Sequence, residues 1–312
     1  MRYKWVDTYR GIAVLFMATL HFFVNIFPSQ PPSFLNYSVR GVISIGDMAV
    51  ALFLFISGVS TYFSISGMKK RGENEDEAVR RVLFRYSRIF IAGLLLDVIL
   101  IASASKVWWV LEAIGLSGIL ALFFICFSDR MKILAVAVIG ICYSYLISLP
   151  EIYSVVSTFP NGGLLGSVSL SGIVLIGYMC GEYIEKKKKR AINLLVKAGL
   201  ISTLMGLLLS SFITYDRGIG SFPFVVLSSG FCMLLMAALY WLVELRGVSS
   251  GILIDFGKAA FLVFVLNYPV LILASVLKLE NSFSTEYAAA ITLVLVLLLM
   301  LASKVYVSLT EP

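Results

Sequence analysis

Only one histidine occurs in the 312-residue chain, and it falls inside an apolar stretch. His21 ends the run Val14-Leu15-Phe16-Met17-Ala18-Thr19-Leu20-His21, which is entered from Asp7-Thr8-Tyr9-Arg10-Gly11. An imidazole can serve as general base or nucleophile near neutral pH. At membrane depth an ionisable side chain is costly, so it faces protein or water and is read first as functional. Arg10 and His21 are eleven residues apart, roughly 16 Å along a helix, and eleven steps of about 100° return nearly to the same face. Counted from Asp7 on a helical wheel, Arg10, Met17, His21 and Asn25 fall within about 80°. Hydrogen-bonding glue between helices would give the same stripe, and this reading competes with ligand binding, above all for Asn25.

A second group of polar residues is expected at matching depth. Asp47 stands about five residues inside the outer end of the next apolar run, and His21 about six from the outer end of its own. A carboxylate beside an imidazole fixes its tautomer and raises its basicity, although a purely structural pair has the same appearance. Asp97, Glu112 and Asn267 also lie in outer halves of apolar runs. Glu112 is a candidate for an acceptor hydroxyl or amine, or a partner for Lys106 or Arg40. At the opposite ends, Arg81, Arg85 and Arg88 recur at i, i+4 and i+7 and form one basic face. With Arg10 and Lys258 they could hold a phosphorylated ligand, because guanidinium forks suit phosphate oxygens. Anionic lipid headgroups are the competing partners.

The elements that must position these residues follow from composition. The chain is 60% hydrophobic and 14% charged, with mean hydropathy +0.96. That composition describes an all-α polytopic membrane protein forming a single domain over 1–312. Ten spans are read, near 11–27, 42–66, 82–103, 107–127, 133–149, 164–184, 194–214, 220–243, 252–276 and 286–307. With the N-terminus inside, only Arg40, Lys106, Arg217 and Lys278 of the 25 basic residues fall outside, so both termini are expected inside. The net charge of +7 therefore reflects topology, and the Lys186–Arg190 run anchors it; nucleic acid is not an expected partner. Residues 150–163, with Pro150, Pro160, Asn161, Gly162 and Gly163, read as an outer loop. The four cysteines are dispersed in apolar segments without metal-ligand spacing, so they read as inert thiols and no metal site is expected. No internal repeat of the transporter kind is visible.

These residues resemble the transmembrane acyltransferases typified by the catalytic region of heparan-α-glucosaminide N-acetyltransferase, and more distantly the acyltransferase-3 proteins. Asp7-x-x-Arg10-Gly11 followed by Met17 and His21 is similar to the family's first helix. Asp47 with Phe53-Leu54-Phe55-Ile56-Ser57-Gly58 resembles its second. Leu111-Glu112-Ala113-Ile114-Gly115-Leu116-Ser117 is similar to a segment that often reads G-I-L-H-x-I-G-L-S. Gly177-Tyr178-Met179-Cys180-Gly181 resembles the G-x-x-x-G exit from a later span. Phe256-Gly257-Lys258-Ala259-Ala260-Phe261 and Asn267-Tyr268-Pro269-Val270-Leu271 resemble its G-[RK]-x-[AS]-L and H-x-P-x-L segments. Where relatives often carry histidine, Glu112 and Asn267 stand here, and residues 28–40 contain none.

The resemblance implies acyl transfer, usually acetyl, from cytoplasmic acyl-CoA to a sugar hydroxyl or amine at the outer side. Arg10, Arg85, Arg88 and Lys258 would then hold the donor's phosphates, and His21, oriented by Asp47, would be the base or nucleophile. Glu112, Asn267 and Asn25 would bind the acceptor, a sugar or lipid-linked glycan. Membrane lipids are expected partners, a homodimer is compatible with the relatives, and the prokaryotic relatives imply a plasma-membrane location. The rival is a proton-coupled carrier or flippase using His21 and Asp47 as a relay.

Overall fold

The computed structural model describes residues 3–25, 34–35, 39–100, 108–279 and 282–310. The protein is all-helical: 82% is helix, and no strand occurs among the described residues. Six helices among them are long and apolar enough to cross a membrane. A seventh crossing is possible if the pair Gly251–Lys258 and Ala260–Ala274, bent by 77°, counts as one. The ten spans expected from the sequence exceed that number for physical reasons. Helix α1 (Lys4–Asn25) carries Asp7, Arg10 and His21, and α3 (Glu75–Leu100) carries its arginines and Asp97. Helix α4 (Val110–Leu122) has only 13 residues, and the stretch before it, 101–107, lies outside the described residues.

Two compact units make up the chain. The first comprises residues 1–37, 44–52 and 238–312. Here α1 packs on α10 (Gly251–Lys258), α11 (Ala260–Val276) and α12 (Thr285–Thr310). Trp5, Tyr9, Val14, Met17, Phe22, Phe256, Val263 and Phe264 fill its core. Trp5 also meets Tyr240 edge-on at 5.6 Å, where a π-helical turn (Tyr240–Leu245) begins. Helices α1 and α10 cross backbone on backbone. A Cβ on Gly11 would overlap the Leu253 carbonyl, and one on Gly257 would overlap that of Asp7. The run 252–276, expected as one continuous span, breaks just after this crossing. Lys258 closes α10, and Ala259, at φ −88° and ψ 14°, turns the chain into α11.

The second unit comprises residues 38–43 and 53–237. It contains most of α2 (Met48–Lys70), then α3, α4, α5 (Asp129–Ser148), α6 (Pro150–Val156), α7 (Gly163–Lys187), α8 (Lys189–Ser210) and most of α9 (Phe222–Leu239). Gly58 of α2 lies against the Val174 carbonyl of α7, and Gly177 lies against that of Phe55, so these two helices also touch through their backbones. Helices α5 and α8 expose Ile133, Leu134, Ile141, Leu200, Ile201 and Leu204. Apolar surface of this extent suits lipid rather than water. Residues 150–163 are not a plain loop. Pro150 opens α6, and a 3-10 turn (Pro160–Gly162) follows, with Asn161 (φ 55°) and Gly162 (φ 72°) left-handed.

One end of this unit is tied by ion pairs. Lys132, 3% exposed, pairs with Glu182 at 3.1 Å and Asp129 at 3.4 Å, and Lys186 reaches Glu182 at 2.6 Å. Glu185 accepts from Tyr62, Ser66 and Lys70. A wholly buried pair broken on one side loses about 3–5 kcal/mol. Glu182 keeps Lys186 and some solvent, so Lys132→Met is expected to destabilise by about 2 kcal/mol. Thermal unfolding checks this, and adding Glu182→Leu should recover part of the loss.

Candidate functional site

In the first unit the structure gives His21 an amide partner. Asn267 Nδ2 lies 2.7 Å from His21 Nδ1, joining α11 to α1 across 246 residues of sequence. Asn267 is completely buried and His21 half-buried. The other amide atom, Asn267 Oδ1, is buried without a hydrogen-bond partner among the described residues. Two residues later comes Pro269, which lacks an N–H and so leaves the Val265 carbonyl without its helical donor. The histidine–asparagine contact thus lies beside a weakened turn of α11.

Asp47 is also fully buried in this unit. It stands immediately before α2 rather than several residues inside a span, and its Oδ2 accepts from the Ser44 N–H at 3.2 Å. The Ser44 hydroxyl donates to the Phe34 carbonyl and accepts from Gly46 N–H. A carboxylate at this point suits the positive end of the helix dipole. Asp7 and Arg10, one turn apart near the start of α1, form an ion pair of 3.0 Å in which Asp7 is buried. The Arg10 side chain is 31% exposed. Lys258 is half-buried at the break between α10 and α11. Asn25 ends α1, but its side chain lies outside the described residues.

The second unit divides the arginine face that the sequence groups together. Arg81 is exposed and bound to Glu73 at 2.9 Å and Glu77 at 2.7 Å. Arg88 is exposed, and its Nε donates to the Phe84 carbonyl of its own helix at 3.4 Å. Arg85 alone turns inward, donating to Thr61 Oγ1 at 2.8 Å. Thr61 and its neighbour Tyr86 are absent from the sequence-derived candidates. The available signal was the hydroxyl pair Ser57 and Thr61, spaced i, i+4 on α2.

Glu112 and Asp97 meet in the same unit. Glu112 is fully buried, Asp97 is 3% exposed, and their carboxyl groups interact. Among the described residues neither Glu112 oxygen has a hydrogen-bond partner at bonding distance. The carboxyl group fits only because α3 offers Gly93, where a Cβ would stand 2.6 Å from the Glu112 carboxyl carbon. Gly93→Ala should therefore displace the Glu112 carboxyl tip rather than the helix backbones and lower stability by about 1 kcal/mol, the low end of overpacking costs, measurable by thermal unfolding. Lys106, the alternative partner for Glu112 in the sequence reading, lies outside the described residues. Among the described residues no group of three or more His, Cys, Asp or Glu side chains is placed to hold a metal ion.

Comparison with known proteins bears on both units. No curated protein matches the chain. Residues 2–215 match the family described as heparan-alpha-glucosaminide N-acetyltransferase, catalytic. This match takes in the Asp7–Arg10–Gly11 opening, His21, Asp47, Arg85 and Glu112, and covers well over half of the sequence. The protein belongs to the heparan-alpha-glucosaminide N-acetyltransferase catalytic family.

Proposed function

We propose that the protein moves an acetyl group from cytoplasmic acetyl-CoA to a sugar hydroxyl or amine at the outer side of the membrane, with His21 as the general base. In this reading the chain crosses the membrane ten times with both termini inside, as its basic residues favour. The observation that carries the reading is the 2.7 Å contact between His21 Nδ1 and a buried Asn267 amide, within a chain of this transferase family.

The chemistry follows from the two nitrogens of the ring. A half-turn of the Asn267 carboxamide brings Oδ1 to Nδ1–H and frees Nε2 as a base. With Nδ2 facing Nδ1, as in the structure, the neutral ring carries its proton on Nε2. Asn267 can therefore hold either form, and its Oδ1 is available for the Nδ1–H of the imidazolium. His21 Nε2 takes the proton from the acceptor's O–H or N–H as that atom bonds to the thioester carbonyl. The carbon–sulfur bond breaks, and His21 returns the proton to the departing thiolate. Acetyl-CoA supplies the activated thioester. Arg10 and Lys258 are assigned to the donor's phosphates in the first unit, and Arg85 and Arg88 in the second; guanidinium forks and ammonium groups suit that task.

This makes Asn267 a positioning residue rather than an acceptor ligand. Asn267→Ala should lower kcat by about 10–100-fold, since a mis-set base loses much of its contribution, with the KM for acetyl-CoA little changed. Asn267→Asp should retain more activity and move the acidic limb of the pH–rate profile to higher pH, because a carboxylate favours the imidazolium. An unchanged kcat in Asn267→Ala would refute the assignment.

A further inference from the structure

Arg85 is half-buried, and among the described residues it has no carboxylate beside it. Several of the basic residues around it are held by carboxylates. Arg71 and Arg81 share Glu73, Lys69 binds Glu75, and Lys70 binds Glu185. What holds Arg85 instead is neutral. Its Nη2 donates to Thr61 Oγ1 at 2.8 Å, and its guanidinium lies 5.2 Å from the centre of the Tyr86 ring.

Thr61 and Tyr86 are themselves fixed. The Thr61 hydroxyl donates to the Ser57 carbonyl at 2.9 Å, so its lone pairs are left to accept from Arg85 and from the Tyr86 hydroxyl at 2.8 Å. Tyr86 is 1% exposed, and its ring occupies the space in which Gly118 would carry a Cβ. The ring cannot swing away without opening the contact between α3 and α4. The guanidinium is therefore clamped by one hydroxyl and one aromatic face, and among the described residues it spends a single N–H of its five. A rigid, carboxylate-free fork with unused donors is pre-organised for a tetrahedral oxyanion.

We propose that Thr61 and Tyr86 are positioning residues that hold Arg85 in place to bind a phosphate group of the acyl donor. The proposal rests on the donor reading given above, and it adds the residues that make Arg85 an effective ligand. Orienting a charge-assisted bond is worth about an order of magnitude in affinity.

The test is equilibrium binding of CoA to the purified full-length protein in nanodiscs, which needs no turnover. Thr61→Val and Tyr86→Phe should each weaken CoA binding by about tenfold, and Arg85→Gln by more, while Thr61→Ser restores it. Binding of acetyl-pantetheine, which lacks the nucleotide phosphates, should be unaffected by all four. That contrast separates positioning from a general loss of packing, which would weaken both ligands. If Arg85→Gln weakens CoA binding but Thr61→Val and Tyr86→Phe do not, the positioning role is wrong and the donor reading stands. If CoA binding is indifferent to all three, both the clamp and the assignment of Arg85 to the donor are wrong. A difference between phosphatidylglycerol and phosphatidylcholine discs that replaces the CoA effect would assign the phosphate to lipid headgroups and overturn the donor proposal.

Discussion

Replacing His21 by alanine is expected to lower acetyl transfer by about 10²–10⁴-fold, the usual contribution of a positioned acid–base group. The chain has no other histidine to take over the proton. Asp7 is bound to Arg10, and Asp47 accepts from the Ser44 backbone. The loss should fall on kcat, because the residue is assigned to the proton and not to the donor's phosphates. His21→Ala and Asn267→Ala combined should cost little more than His21→Ala alone, since an orienting amide has nothing left to orient. Additive losses would mean that the two residues act independently, and kcat measured for the single and double variants decides it.

Gly257→Ala should have the largest effect on folding. Its new methyl would enter the Asp7 carbonyl, and Gly11→Ala would do the same to Leu253. Backbone atoms cannot rotate away as a side-chain tip can, so the α1–α10 crossing must open. The expected loss is about 3 kcal/mol or more, the upper end for overpacking. Gly251→Ala, at the other end of α10, meets nothing within 4 Å among the described residues and is the matched control. Yield of folded protein and thermal unfolding should separate the two; equal behaviour would contradict the close crossing. Activity should fall with Gly257→Ala as well, because α1 carries His21.

Much of this is legible in the sequence, and the reasons for the rest are specific. Apolar length and the scarcity of charge announce the helices. The sequence singles out His21 because a lone imidazole in an apolar helix is costly. Its partner is hidden, because Asn267 lies 246 residues away and only tertiary packing joins them. The break at Ala259 is hidden too: residues 252–276 are apolar enough to read as one span despite Asp255 and Lys258, and the bend follows a backbone crossing that hydropathy does not record. The Gly11 of the Asp-x-x-Arg-Gly opening is visible as a motif, but its reason is steric. The regular spacing of Arg81, Arg85 and Arg88 predicts one common face, yet Glu73 and Glu77 draw Arg81 off and Thr61 draws Arg85 inward. Helical periodicity gives direction around an axis, whereas partner choice depends on which neighbours offer acceptors.

The most direct measurement is transfer of radiolabelled acetyl from acetyl-CoA to aminosugars and glycans by the purified protein in sealed vesicles. The protein should move label to an acceptor, and His21→Ala should bind CoA normally while moving almost none. Label transfer by His21→Ala at the original rate would contradict the account, as would proton-driven solute uptake without thioester cleavage.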